Sequence, residues 1–132
     1  MSKHLQKDLD KLQSKVLSLS LAVEESVARA VQAVKKRDKN LAREVIDGDR
    51  VIDLKEVEIE EECLKILALY QPLAIDLRYV VVILKINNDL ERIGDLAVNI
   101  AKRSIYLAKK DPVDIPFDFE TMEKKTRNML SK

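Results

Sequence analysis

From Leu5 onward the apolar residues fall at Leu5, Leu9, Leu12, Val16, Leu19 and Val23, in alternating steps of four and three, and Ser26 and Ala30 keep the register. That alternation draws one stripe down a helix, and it predicts a first helix over about Lys3–Lys36. The basic cluster Lys35, Lys36 and Arg37 suits the negative end of that helix's dipole. Asp38 comes next and has the kind of side chain that accepts from the free amides opening a helix. A tight turn into a second helix is therefore expected there.

The second stripe is Leu41, Val45, Ile52, Ile59, Cys63, Ile66 and Tyr70, and it carries past Gly48. Glycine costs a helix about 1 kcal/mol relative to alanine, so Gly48 is expected either inside this helix or at a bend in it. Gln71-Pro72 ends the run, because proline breaks the hydrogen-bond ladder, biases its predecessor out of helical dihedrals and suits the first turn of a following helix. A third stripe of Ile83, Ile86, Leu90, Ile93, Ala97, Ile100 and Leu107, with Ser104 as its polar member, predicts a helix over about Leu73–Lys109.

Two prolines within Asp111–Pro116 mark a linker. Beyond it Phe119, Glu120, Met122, Lys125 and Met129 echo Leu9, Asp10, Leu12, Lys15 and Leu19 at an offset of 110. This stretch reads as the start of a second copy of the first helix, or as an amphipathic tail lying on the bundle. The expected architecture is all-α: an antiparallel three-helix bundle of long up-down-up helices in residues 1–110, a linker at 111–117, and a fourth helix at 118–132 that begins a second repeat.

Composition agrees with this pattern and narrows the chemistry. At 132 residues the chain suits one domain with one core, and its two glycines, three prolines and two phenylalanines are too few for an all-β design. Lys plus Arg number 24 against 23 Asp plus Glu, a net charge of +1. No global field draws such a chain to nucleic acid or acidic lipid. The single cysteine, Cys63, has no partner for an internal disulfide, and the single histidine, His4, leaves no His-rich zinc site or His-centred triad. Cys63 falls on the second stripe and is expected as a small buried apolar residue, with His4 exposed. Met1–Lys15 alternates charged and apolar residues, and no run approaches the roughly 20 apolar residues of a membrane span. A cytoplasmic protein without membrane insertion is expected.

The candidate chemistry lies in carboxylates. Asp49 with Asp53, and Glu91 with Asp95, are pairs four residues apart, so each pair stands on one helix face. In an antiparallel hairpin closed at Gln71-Pro72, Asp53 stands level with Glu91 and Asp49 with Asp95. The four acids lie about 30 Å along the helices from that turn at 1.5 Å rise per residue. They sit on the flanks of their stripes, which makes any joint site superficial, and whether both flanks turn to one side depends on bundle handedness, which the sequence leaves open.

Such a group repels itself unless neutralised, and an all-oxygen donor set suits hard ions: magnesium, calcium, manganese or oxidised iron. The alternative is a solvated acidic face, the reading given to Glu56, Glu58, Glu60, Glu61 and Glu62. Asn88 and Asn99 are possible auxiliary oxygen donors, with Asn87 beside them. Helical asparagines are more often solvated. Arg92 and Arg78 are candidate ion-pair partners for neighbouring acids, at little energy if exposed. There is no Gly-rich phosphate loop, no Glu-x-x-His pair and no nucleophile with a base, so no enzyme role is expected.

The run Asn88-Asp89-Leu90-Glu91-Arg92-Ile93-Gly94-Asp95-Leu96-Ala97-Val98-Asn99-Ile100-Ala101 closely resembles the signature of the PhoU family of phosphate-transport regulators. Gln71-Pro72-Leu73-Ala74-Ile75-Asp76-Leu77-Arg78 and Gly48-Asp49-Arg50-Val51-Ile52-Asp53 are similar to the family's other marks, in the same order. The resemblance covers about residues 3–110. It implies a Glu/Asp-x-x-x-Asp metal motif at Glu91 and Asp95 with Asp49 and Asp53 in the companion position, holding multivalent iron, manganese or magnesium. It further implies a cytoplasmic negative regulator of phosphate uptake and phosphate-starvation signalling, acting between the phosphate ABC transporter and a sensor histidine kinase. Family members carry two three-helix repeats and this sequence one and the opening of another, so a homodimer is expected in which two chains cover each other's apolar surface. The alternative function is a structural or assembly bundle with no metal site.

Overall fold

The computed structural model describes residues 3–108, 126–127 and 129–130. Three helices account for residues 3–108: α1 (Lys3–Lys36), α2 (Lys39–Tyr70) and α3 (Ala74–Ala108). The expected all-α, up-down-up bundle is what forms, and each helix packs on both others.

The α1–α2 turn is short because its residues satisfy two helix ends at once. Arg37 takes a left-handed φ of 54°. Its N–H donates to the Val34 carbonyl at 3.3 Å and the Asp38 N–H donates to the Ala33 carbonyl at 3.0 Å, the paired bonds of a Schellman ending. Asp38 is also the cap of α2, its carboxylate accepting from the Asn40 and Leu41 amides at 3.0 and 3.1 Å. A non-glycine residue in the left-handed region costs about 1 kcal/mol, and Arg37 offsets this with its side chain. Its guanidinium donates to the Leu107 carbonyl at 2.9 Å, within the last turn of α3, where carbonyls lack partners in the helix. Thus the end of α1 is tied to the end of α3, and these two helices run in the same direction.

Contacts between α1 and α2 confirm their opposite sense. Lys15 pairs with Glu58 at 2.9 Å, Lys55 donates to the Ser18 hydroxyl at 3.1 Å, and the Tyr70 hydroxyl donates to Asp8 at 2.7 Å. At the second turn Gln71 is left-handed, with φ 45°, and its N–H donates to the Leu67 carbonyl at 3.2 Å. Pro72 is buried, and α3 begins at Ala74, one residue after the expected Leu73, which stays outside the helix and exposed.

Leu12, Leu19, Val23, Val27, Ile59, Cys63, Ile66 and Val80 form the driest part of the core. Cys63 is buried as its register implied, and burial pushes its thiol pKa up to about 11. The third stripe needs one correction. Ile86 is 38% exposed, and Asn87 takes the inward place at 3%. Ile86 instead faces a groove of about 550 Å³ between α1 and α3, where Val16, Leu17, Ile83 and Ile93 also lie.

The linker expected at 111–117 lies outside the described residues. Of the fourth helix expected at 118–132, residues 126–127 and 129–130 are described, all with helical backbone. Met129 and Leu130 line the α1–α3 groove, and Leu130 packs on the core.

Gly48 lies inside an uninterrupted α2, and a Cβ built there meets nothing within 4 Å. Gly48→Ala should therefore stabilise the protein by about 1 kcal/mol. Asp38→Ala, which strips the cap, should destabilise it by about 1 kcal/mol. Urea unfolding followed by circular dichroism checks both signs, and a destabilising Gly48→Ala would contradict the open space seen beside that residue.

Candidate metal centre

Asp49 and Asp53 stand on the flank of α2 that faces α3, and Asp95 stands on α3 opposite them. One carboxylate oxygen from each lies within 4.8 Å of the others. The bundle has thus turned the two flanks toward each other, the point its sequence left open. Glu91, the fourth acid expected there, does not join that triad. It sits one helical turn nearer the α2–α3 turn, exposed, and its charge acts chiefly on Glu56. Asn88 and Asn99 are exposed on α3. Arg78 and Arg92 form no ion pair among the described residues.

The largest departure from the sequence reading is Glu56. Its place in a row of acids reads as solvated, and Glu58, Glu60 and Glu61 are indeed exposed. Glu56 is only 7% exposed. Asn87 likewise reads from sequence as a solvated asparagine. It is buried, and its amide nitrogen donates to the Glu56 main-chain carbonyl at 3.0 Å. Both were readable in principle. Ile52, Glu56, Ile59, Cys63 and Ile66 step by four, three, four and three, as do Ile83, Asn87 and Leu90, so both polar residues occupy core positions of otherwise apolar stripes.

Gly94 lies where α3 packs on α2 at this level. It is buried, and a Cβ built there would lie 3.6 Å from Ile52 Cγ2, 3.8 Å from Glu56 Oε1 and 4.0 Å from Asp49 Oδ1. The missing side chain leaves a small cradle with a buried carboxylate on one side and the triad on the other. No lysine or arginine forms an ion pair with Asp49, Asp53, Glu56, Glu91 or Asp95 among the described residues, and the Glu56 carboxylate has no hydrogen-bond donor there. A buried carboxylate with neither donor nor counter-charge is costly. A hard cation would supply what the site lacks, so the donor set suits one.

Electrostatics record the same crowding. Burial raises the pKa of Glu56, and the charges of Glu91, Asp53, Asp95 and Asp49 add to it, reaching about 7. Asp49 is also raised, first by burial, then by Asp53 and Asp95 and by a hydrogen bond shared with Asp53, with Lys102 opposing.

Comparison with known proteins gives one consistent result. The PhoU domain family matches residues 16–104. The chain is similar to the phosphate-specific transport system accessory protein PhoU homolog of Aquifex aeolicus, at 42% identity over 125 residues, 95% of this chain and 57% of that protein. It is 34% identical to the PhoU accessory protein of Escherichia coli over 123 residues, 93% of this chain and 51% of that one. Crystal structures of PhoU from Pseudomonas aeruginosa and Streptococcus pneumoniae superpose with TM-scores of 0.81 and 0.80, at 36% and 30% identity. Each covers 96% of this chain, which corresponds to 57% and 58% of theirs. The chain thus spans about half the length of the relatives it matches.

The raised acids make stability depend on pH. Between about 4.5, the ordinary value, and 7, folded Glu56 holds a proton that the unfolded chain has lost. The native state binds more protons in that window, so stability falls as pH rises through it and stays lower above it. A rise of this size corresponds to a loss on the order of 3 kcal/mol, with Asp49 contributing in the same direction. Urea unfolding in a chelator at pH 5 and pH 8 should show wild type losing stability toward pH 8 and Glu56→Gln losing much less. Equal slopes in the two proteins would show that Glu56 keeps its ordinary pKa.

Proposed function

The chain belongs to the PhoU family, and on that premise we propose that it is a metal-binding accessory of phosphate-specific transport that regulates phosphate uptake and phosphate-starvation signalling without being an enzyme. The observation that carries the metal part is the meeting of Asp49, Asp53 and Asp95 beside the donorless Glu56. Asp49, Asp53 and Asp95 would hold the ion directly, with Glu91 one turn away. A bound cation such as manganese, iron or magnesium supplies positive charge that offsets the repulsion among these acids. Oxygen-only donors favour these hard ions over zinc, which prefers nitrogen and sulfur.

The link to transport rests on the family and on its relatives' names, which describe accessory proteins of a phosphate-specific transport system. Negative regulation, with a sensor histidine kinase as the second partner, rests on the family resemblance. A cytoplasmic setting suits both partners, and among the described residues no helix is long and apolar enough to cross a membrane. The exposed faces suit association. Leu17 is 61% exposed, Val82 45% and Leu96 39%, along or beside the α1–α3 groove. We assign this side to pairing with a second copy of the chain, since apolar surface of this kind marks an interaction site.

Calorimetric titration of Mn²⁺ into purified protein should give stoichiometric binding, weakened at least tenfold in an Asp49→Asn, Asp95→Asn double variant whose helicity is unchanged. Wild type that takes up no Mn²⁺, Fe³⁺ or Mg²⁺ would favour the alternative, a structural bundle with an acidic surface. Light scattering at micromolar concentration should return twice the 15.1 kDa chain mass, and a monomer would defeat the pairing.

A further inference from the structure

We propose that Glu56 is itself a ligand of the cation site, reaching it from inside the bundle and completing from the α2 side a donor set that Asp49, Asp53 and Asp95 begin at the surface. This rests on the metal-binding reading above and extends it to a residue outside both spaced acid pairs. Exposed acids gather on many helices with no ion between them. Glu56 differs from them in being over nine-tenths buried, with a carboxylate that accepts no hydrogen bond among the described residues. Its Oε1 and Asp49 Oδ1 border the same space, at 3.8 and 4.0 Å from where a Gly94 side chain would begin.

The local structure holds the residue in that place. The main chain of Glu56 is fixed by the Asn87 amide at 3.0 Å, and Ile52 and Ile59 on either side of it are 5% and 1% exposed. An acid at this position in the apolar stripe costs the metal-free fold stability, and a leucine would fill it without that cost. Coordination is the interaction that would repay a buried carboxylate with no donor, because a cation satisfies its oxygens and its charge together. Glu91, whose charge is the one felt most strongly at Glu56, flanks the inner donor from α3.

The test compares wild type with Glu56→Gln, which keeps the shape and removes the charge, and with Glu60→Gln, which removes the same charge from an exposed position on α2. Mn²⁺ affinity is read by calorimetry, and the number of water molecules on the bound Mn²⁺ by water-proton relaxation. Glu56→Gln should lower affinity at least tenfold and add one inner-sphere water where the carboxylate has left. Glu60→Gln should change neither. Circular dichroism should show Glu56→Gln folded, and Glu56→Asp, which keeps the charge on a shorter stem, provides a second folded variant expected to bind Mn²⁺ between the two. Wild-type affinity in Glu56→Gln would overturn the inference, as would an affinity loss with unchanged hydration or one matched by Glu60→Gln, since each marks a through-space effect. Wild type that binds no Mn²⁺ would overturn the metal reading and this inference together, and that result is distinguishable from the others.

Discussion

The close approach of α3 to α2 at Gly94 is the constraint on which the rest of this site depends. Ile52, Glu56 and Asp49 all border one point there, 3.6 to 4.0 Å from where a Gly94 side chain would begin, which is ordinary van der Waals distance. At this level the two acid-bearing flanks face each other, and Asp95 meets Asp49 and Asp53. The packing there also leaves Glu56 largely covered. Apolar packing above and below, from Val45 to Ile66 on α2 and Val80 to Ala101 on α3, holds the seam against the repulsion it contains.

The ends of the helices keep that seam in register. Asp38 caps α2 and closes the Schellman turn of α1, while Arg37 reaches from the same turn to the last carbonyls of α3. A slip of one residue between α2 and α3 would rotate their facing sides by about 100° and part the acids. The short turns at 37–38 and 71–73 leave little slack for such a slip. Positions far from the acids therefore contribute to their geometry.

How much of this was legible in the sequence follows from the stepping rule itself. The three helices, their turns, the Asp38 cap and the level pairing of Asp49 with Asp95 all came from spacing, because a stripe in steps of three and four fixes which residues share a face. The rule is ambiguous where two adjacent residues both satisfy it. From Ile83 to Leu90 the chain can step through Ile86 or Asn87, and hydrophobicity favours Ile86, yet Asn87 is the one that turns inward. In the bundle Ile86 finds other apolar neighbours in the α1–α3 groove, and Asn87 finds the Glu56 carbonyl. Glu56 was missed for a related reason. An acid in a row of acids is read as solvated, although its place between Ile52 and Ile59 is a core place. The register of its own helix marks each as a core place, but what the residue meets there is set by another helix.

Those buried polar positions say what the bundle is built to do, since they are where sequence and stability disagree. Two unit charges about 5 Å apart repel by about 1 kcal/mol in a water-like medium and by several times that in a protein surface of lower dielectric. A triad of carboxylates held within 4.8 Å of one another, with a fourth largely buried beside it, thus carries a self-repulsion that the fold relieves in part by favouring the protonated forms of Glu56 and Asp49. Removing the acids would be the simple remedy for a structural bundle. Keeping them concentrates an unfavourable term at one seam, which on the proposed function a bound cation would offset. On the proposed function, the same seam that joins α2 to α3 is then the one whose strength changes with occupancy. The apolar groove between α1 and α3 opens on the other flank of α3, so the helix that carries Asp95 also carries Ile86 and Val82 toward that groove. Helix α3 thus borders both the acid triad, through Asp95, and the α1–α3 groove.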